Sequence, residues 1–167
     1  MTERDNKLFV VFARSSNISV CSSRSISTIT VRGLSDPTDI VVCRSDGRLY
    51  IADSDCIWRE SSTDLYEKWL PTESTTDIFT VKSLSVTSQR LLVTMVSGSL
   101  HQYSTTDRQL LHVIVLPGYI VDLNHATETT RGTFVVCYRD TSNDLWQSMV
   151  SELYRFVIYS ALNIMLS

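Results

Sequence analysis

A repeat of about 42 residues constrains the fold of this chain more than any other feature of its sequence. Four short apolar runs look alike, and their first residues lie 41, 42 and 42 positions apart. The runs are residues 7–11, 48–52, 90–94 and 132–136. Because a fixed period of this length is typical of stacked structural units, the chain is predicted to be a repeat protein.

Each unit carries four short apolar runs. In each unit, the run that defines the repeat is followed by a polar or Gly-containing turn and then by a second run, as in a β-hairpin. These second runs are residues 18–21, 57–60, 100–103 and 145–148. Further runs close the units near Gly33, Pro71 and Pro117, and another opens each following unit. Gly and Pro end strands, so each unit is predicted to be a four-stranded antiparallel sheet.

Repeated four-stranded units of this length are the signature of a β-propeller. A β-sandwich also has short strands and frequent turns, but it does not give a self-similar period. The fold class is therefore predicted to be all-β, with about four four-stranded blades. We expect the blades at residues 1–35, 36–77, 78–118 and 119–153, followed by an apolar tail at residues 154–167.

The second unit resembles the NHL-type blade. It runs from Asp36 to Glu60 and reads DPTDIVVCRSDGRLYIADSDCIWRE, and the other units match only in part. No strand ends in Trp-Asp, no Gly-His pair occurs, and no Gly-Gly pair occurs, which disfavours WD and kelch repeats. The resemblance implies a radial array whose channel mouth and upper loops bind protein or, in some members, RNA. The family is also similar in blade shape to gluconolactonase-like enzymes, which use a central metal.

A metal site at the axis needs acidic or amide side chains from several blades. The acidic candidates are Asp39, Asp53, Asp55 and Asp122. The residues that correspond to Asp53 in the other units are Phe12, Met95 and Cys137, so the acid is not repeated. We therefore predict no metal and no cofactor, and we expect Asp53 and Asp55 to accept turn hydrogen bonds. The leading function is a non-enzymatic protein-interaction module, and the alternative is a metal-dependent lactonase-like hydrolase.

No other pattern indicates catalysis. The three histidines, His101, His112 and His125, are predicted to be surface or half-buried side chains, and no G-x-S-x-G elbow occurs. No catalytic residue is proposed. Two tryptophans, Trp58 and Trp146, share one position in the repeat and are predicted to pack between blades. The four cysteines occur singly within or beside apolar runs, which indicates reduced thiols.

A partner-binding surface is predicted on the loops that join the second and third strands and on those that join blades. These two sets of loops share one face of a propeller. The candidate residues are Arg14, Asp55, Tyr119 and Arg139. Arg and Tyr are the types enriched at interface anchors.

Charge and hydropathy narrow the partners. The net charge is −3 and the basic residues are scattered, so nucleic acid is not expected. The longest apolar stretch, residues 154–166, is interrupted by polar residues and is shorter than the ~20 residues that cross a bilayer. No secretion signal is recognised at the start. We expect an intracellular, cytoplasmic protein without membrane contact.

The two ends fit the blade pattern poorly. Residues 1–6 are polar and charged, so the first unit is predicted to begin at its second strand. In the last unit, residues 154–160 are interpreted as a fourth strand or as part of a short helix. This count favours an incomplete arc of a larger ring over a closed four-bladed one. Open blade edges are then expected to promote self-association.

Overall fold

A computed structural model describes residues 1–62, 65–70, 79–87, 89–116, 120–139 and 154–160. Every helix or strand among these residues is a β-strand, as the repeat predicted. The strands are β1 (Thr2–Arg4), β2 (Lys7–Val11), β3 (Asn17–Cys21), β4 (Ile26–Thr30), β5 (Asp39–Val42), β6 (Leu49–Ala52), β7 (Ile57–Ser62), β8 (Leu65–Leu70), β9 (Val81–Thr87), β10 (Arg90–Met95), β11 (Ser99–Ser104), β12 (Leu110–Val115), β13 (Val121–Glu128), β14 (Thr133–Arg139) and β15 (Tyr154–Ser160).

The strands form four antiparallel sheets in which each strand pairs with its neighbours along the chain. Strands β1–β4, β5–β8 and β9–β12 form three four-stranded sheets, and β13, β14 and β15 form the fourth. We call these sheets blades 1 to 4. The first strands of successive blades, β1, β5, β9 and β13, contact one another in that order. No sheet of the described part combines strands of blades 1 and 4, consistent with an open arc.

The prediction that blade 1 lacks its first strand is wrong. Thr2–Arg4 forms β1 and pairs with β2, with Arg4 opposite Lys7. Asp5 and Asn6 have φ values of 52° and 58°, and this left-handed pair closes the hairpin in two residues. The charge of this segment does not oppose a strand, because Arg4 forms an ion pair with Glu60 of blade 2.

In blade 4, residues 154–160 form a strand and not a helix. The strand, β15, pairs directly with β14, from Arg139 opposite Tyr154 to Thr133 opposite Ser160. It is therefore third in the sheet and not fourth. The predicted third strand, residues 145–148, lies outside the described residues, as does Trp146.

Strand β6 shows how the blades stack. Its four residues, Leu49 to Ala52, are all fully buried. Successive side chains of a strand point to opposite faces of the sheet. Leu49 and Ile51 accordingly belong to the apolar cluster between blades 1 and 2, whereas Tyr50 and Ala52 belong to the cluster between blades 2 and 3. A third cluster joins blades 3 and 4.

Tryptophans fill two of these interfaces, as predicted for Trp58. Trp69 is fully buried between blades 2 and 3, where the ring of Tyr50 meets it edge to face with centroids 5.1 Å apart. Trp58 packs between blades 1 and 2 against Gly33. Gly33 has a φ of 94°, and a Cβ atom there would lie 3.1 Å from Cη2 of Trp58. Glycine is therefore required by both the backbone conformation and the close approach.

An arginine–glutamate ion pair bridges each of the three interfaces. Arg4 pairs with Glu60 between blades 1 and 2. Arg108 pairs with Glu67 between blades 2 and 3 at 3.0 Å. Arg90 pairs with Glu128 between blades 3 and 4 at 3.1 Å. The side chains of Glu60 and Glu128 are equally buried, but Arg4 is 23% exposed and Arg90 is 50% exposed, so the first pair is the better shielded from solvent. An isolated buried carboxylate is costly, so we expect the Arg4–Glu60 pair to contribute most to stability.

We predict that Arg4→Ala lowers the free energy of unfolding by about 1–3 kcal/mol, because Glu60 then keeps a buried charge without its main partner. Urea unfolding monitored by tryptophan fluorescence measures this loss. Lys7→Ala, on the exposed neighbouring position of the same hairpin, serves as the control and is expected to change stability by less than about 0.5 kcal/mol. Equal losses in the two variants would contradict the assigned role of Arg4.

Candidate functional site

The loops of the predicted binding surface meet on one face, which we call the upper face. It comprises the β2–β3, β6–β7 and β10–β11 loops and the connection between blades 1 and 2, residues 31–38. The backbone N–H of Arg14 donates to Oδ1 of Asp36 at 2.8 Å. The backbone N–H of Asp36 donates to Oδ1 of Asp53 at 2.7 Å. Two strand-connecting loops and one blade-connecting loop are thus joined.

Asp53 is the centre of this network. The residue is 1% exposed and directly follows β6. Its Oδ1 accepts hydrogen bonds from the backbone N–H of Asp36 at 2.7 Å and of Ser54 at 3.0 Å. Its Oδ2 accepts from the backbone N–H of Ser35 at 3.1 Å and from the indole N–H of Trp58 at 3.2 Å. The sequence-based prediction that Asp53 accepts turn hydrogen bonds is confirmed.

These donors also set the charge state of Asp53. Burial alone raises the pKa of a carboxyl group because it disfavours the charged form. The backbone N–H groups of Asp36, Ser35 and Ser54 and the indole of Trp58 outweigh that effect and hold the pKa of Asp53 below its ordinary value. The upper face is therefore organised around a permanently ionised carboxylate at neutral pH.

Asp53, Asp55 and Cys56 form the one cluster of potential metal ligands found among the described residues, with their ligand atoms within 4.8 Å of one another. The cluster fits a metal poorly. Both oxygens of Asp53 already accept N–H groups. Burial raises the pKa of the Cys56 thiol to about 12, so at neutral pH it is not the thiolate that metals bind.

The other two acidic candidates lie elsewhere and have separate roles. Asp39, at the start of β5, accepts a hydrogen bond at Oδ2 from the backbone N–H of Leu84 in blade 3 at 2.9 Å. Asp122, in β13, forms an ion pair with Lys82 of β9 at 2.6 Å. Both carboxylates therefore connect neighbouring blades, and the four acids do not converge at one point.

The structure places two of the four predicted binding residues on the exposed upper face. Arg14 lies in the β2–β3 loop with a φ of 58°, and Asp55 lies in the β6–β7 loop. Both residues are exposed. Arg139 is the last residue of β14 and lies opposite Val121. Tyr119 lies outside the described residues.

Sequence reasoning missed the apolar members of this face. Phe12, next to Arg14, is 57% exposed, and Val96 in the β10–β11 turn is 59% exposed. The repeat position gave no signal for this exposure, because Met95 occupies the same position in blade 3 and is only 4% exposed.

A second concave feature lies at the axis of the arc. It is an open groove of about 420 Å³. The first strands of all four blades contribute to its lining: Thr2, Glu3, Asp39, Ile40, Val41, Val42, Leu84, Ser85, Val86 and His125. The lining is mixed, with polar and apolar side chains, and Asp39 is already engaged by the backbone N–H groups of Ile40 and Leu84.

The histidines occupy ordinary structural positions. His101 of β11 is half-buried, its Nε2 lies 3.1 Å from Oγ of Ser99, and burial lowers its pKa. His112 and His125 are exposed. All four cysteines are free thiols. The described residues include no helix with the length and apolarity needed to span a bilayer.

Comparison with known proteins supports the fold. The WD40 β-propeller domain of Doa1 matches with a TM-score of 0.61 and 14% identity, covering 81% of this chain and 44% of that one. Hydrazine synthase of Kuenenia stuttgartiensis matches with a TM-score of 0.64 and 17% identity, covering 92% of this chain and 47% of that one. The chain is a β-propeller.

This propeller spans less than half the length of either matched chain. At such low identity the likeness concerns the fold and not the activity. No protein-family model and no curated protein sequence matches the chain.

We predict that Asp53→Asn lowers the free energy of unfolding by about 1–3 kcal/mol at neutral pH, because an amide cannot accept the same set of buried N–H groups. The folded-state pKa is depressed, so the contribution of the carboxylate is complete above the unfolded pKa of about 3.9 and is lost as the pH falls through the folded pKa. The difference between wild type and variant should therefore narrow on acidification.

Urea unfolding near pH 7 and near pH 3 measures this narrowing. Asp55→Asn, two residues away and exposed, is the matched control and should have a small effect at neutral pH. A stability difference that stays constant over this range would contradict the role assigned to the Asp53 carboxylate.

Proposed function

We propose that this propeller is a non-enzymatic protein-interaction module that binds its partner through the upper face. The observation that carries the proposal is the hydrogen-bond network of Asp53, which holds three loops in fixed positions around exposed side chains. A preorganised surface loses little conformational entropy when a partner binds. An interaction role also agrees with the resemblance of residues 36–60 to NHL-type blades.

The side chains of this face are chemically suited to a protein partner. Phe12 offers exposed apolar area in the same loop as the cation of Arg14, and Asp55 offers an anion on the next blade. Interfaces are enriched in aromatic residues and arginine, and a few such residues carry most of the binding energy. A partner with an apolar anchor and an acidic residue next to it would complement Phe12 and Arg14. Arg139 and Tyr119 remain proposed members of the same face.

The blade type and boundaries belong to the same proposal. We assign the units to residues 1–35, 36–77, 78–118 and 119–153 and to an NHL-like repeat, and β15 from the following segment belongs to the sheet of blade 4. No observation favours the alternative of a metal-dependent hydrolase. Within the described residues, the candidate acids Asp39, Asp53 and Asp122 are engaged in separate contacts with the backbone, an indole or a lysine.

We predict that Arg14→Glu weakens binding of the partner at least about tenfold, equivalent to about 1.4 kcal/mol. Chemical crosslinking with mass spectrometry first identifies proteins that are linked to the wild-type chain at the upper face. Isothermal titration calorimetry with the purified partner then measures the dissociation constant for each variant.

Arg24→Glu is the matched control, because Arg24 is an exposed arginine of the same blade in the β3–β4 loop, on the opposite face. Its affinity should equal that of the wild type. If Arg24→Glu weakens binding as much as Arg14→Glu does, the effect is one of net charge and the upper face is not the binding surface.

A further inference from the structure

Among the described residues, no strand pairs with the outer edge of blade 3. Strand β12 is the last strand of its sheet, and within the described part of the chain it pairs with β11 alone. The main-chain N–H and C=O groups along its other edge therefore face outward. Such an edge is a template on which another strand can pair.

The side chains of β12 leave this edge unprotected. Its sequence, LLHVIV, contains no Gly, Pro, Lys, Arg, Asp or Glu. Leu111 is 38% exposed, Leu110 and Val113 are each 49% exposed, and Val115 is 70% exposed. Six-residue segments of high β-propensity and low charge are the ones that pair most readily with their own kind.

The outer strands of blades 1 and 2 are protected in ways that β12 is not. Strand β8 carries Glu67 and Lys68, and charged side chains on an edge oppose pairing because they would have to be desolvated. Strand β4 reads ISTIT and exposes hydroxyl side chains around one large apolar residue, Ile26. Of the three outer strands described in blades 1 to 3, β12 alone exposes several large apolar side chains and carries no charge.

We propose that β12 pairs antiparallel with β12 of a second copy of this chain and so forms a two-fold symmetric dimer. A two-fold axis perpendicular to the sheet makes one residue of the strand face its own copy. In a pairing centred on Val113, Val113 faces Val113 of the other copy, Leu111 faces Val115, and His112 faces Ile114. No position brings like charges together at neutral pH, so the strand is its own complement. A two-fold axis requires this kind of self-complementary surface.

The dimer would join blade 3 of each copy into one continuous eight-stranded sheet. Because one strand from each copy forms the contact, the interface is smaller than those of obligate dimers, and association depends on concentration. The edge lies on the outer rim, whereas Phe12 and Arg14 lie on the upper face. The dimer and the proposed binding function can therefore succeed or fail separately.

Sedimentation velocity of the whole chain over a roughly hundredfold concentration range tests the proposal. The wild type should shift from monomer to dimer, and Val113→Lys should weaken dimerisation at least about tenfold by placing a charge on the edge. Ile26→Lys introduces the same charge on the edge strand of blade 1 and should dimerise as the wild type does.

Two further measurements separate strand pairing from other causes. Mixing Val113→Lys with Val113→Glu should restore a dimer, because in this pairing the opposite charges face each other directly across the two-fold axis. Amide hydrogen exchange of the wild type should slow in residues 110–115 at high concentration, but not in β4. A wild type that stays monomeric, a Val113→Lys variant that dimerises normally, or an Ile26→Lys variant that loses the dimer would overturn the proposal.

Discussion

Burial of both faces of every blade is the constraint on which this structure depends. A single blade cannot bury its two apolar faces by itself, and stacked neighbours cover them. Strand β6 shows the solution, because Leu49 and Ile51 pack towards one neighbour while Tyr50 and Ala52 pack towards the other. No blade is therefore expected to fold without a neighbour stacked against it. The position of each loop on the upper face follows from that stacking.

Trp58 contributes both to the packing between blades and to the hydrogen bonds that hold the loops of the upper face. Its ring belongs to the cluster between blades 1 and 2 and lies against Gly33, while its indole N–H donates to Asp53. The same side chain therefore fixes the distance between two blades and helps to satisfy the buried carboxylate that orders the loops above them. A change in the seating of the ring would move Asp53, and with it the loop that carries Asp36 and contacts Arg14.

Features of the fold that recur in several blades could be predicted from the sequence, whereas features found in one blade could not. The 42-residue period located the strands of blades 2 and 3, since each occurs in several similar copies. Strand β1 could not be predicted from the residues around it, because they suggest that the charge of Arg4 is unpaired. The partner of Arg4, Glu60, lies 56 positions away and becomes a neighbour only when the blades stack. The order of strands in blade 4 also depends on pairing, which a run of apolar residues does not specify.

The candidate site shows the same division. The hydrogen-bonding role of Asp53 followed from the chemistry of Asp in turns. The location of Arg14 and Asp55 in the loops of the upper face followed from propeller geometry. Which donors reach Asp53 could not be predicted, because Ser35 and Trp58 come from different elements that meet only in the folded chain. The exposure of Phe12 likewise depends on what the neighbouring loops leave uncovered.

The meander order of the strands has a consequence for how this molecule gains its structure. Within each blade every strand pairs with the next one along the chain, so the contacts inside a blade have short sequence separation and a low entropy cost of loop closure. The three apolar clusters among the described residues, in contrast, each join two neighbouring blades. Cooperativity therefore passes from blade to blade as in a linear array, so the loss of one interface weakens the two blades that it joins before it weakens the others.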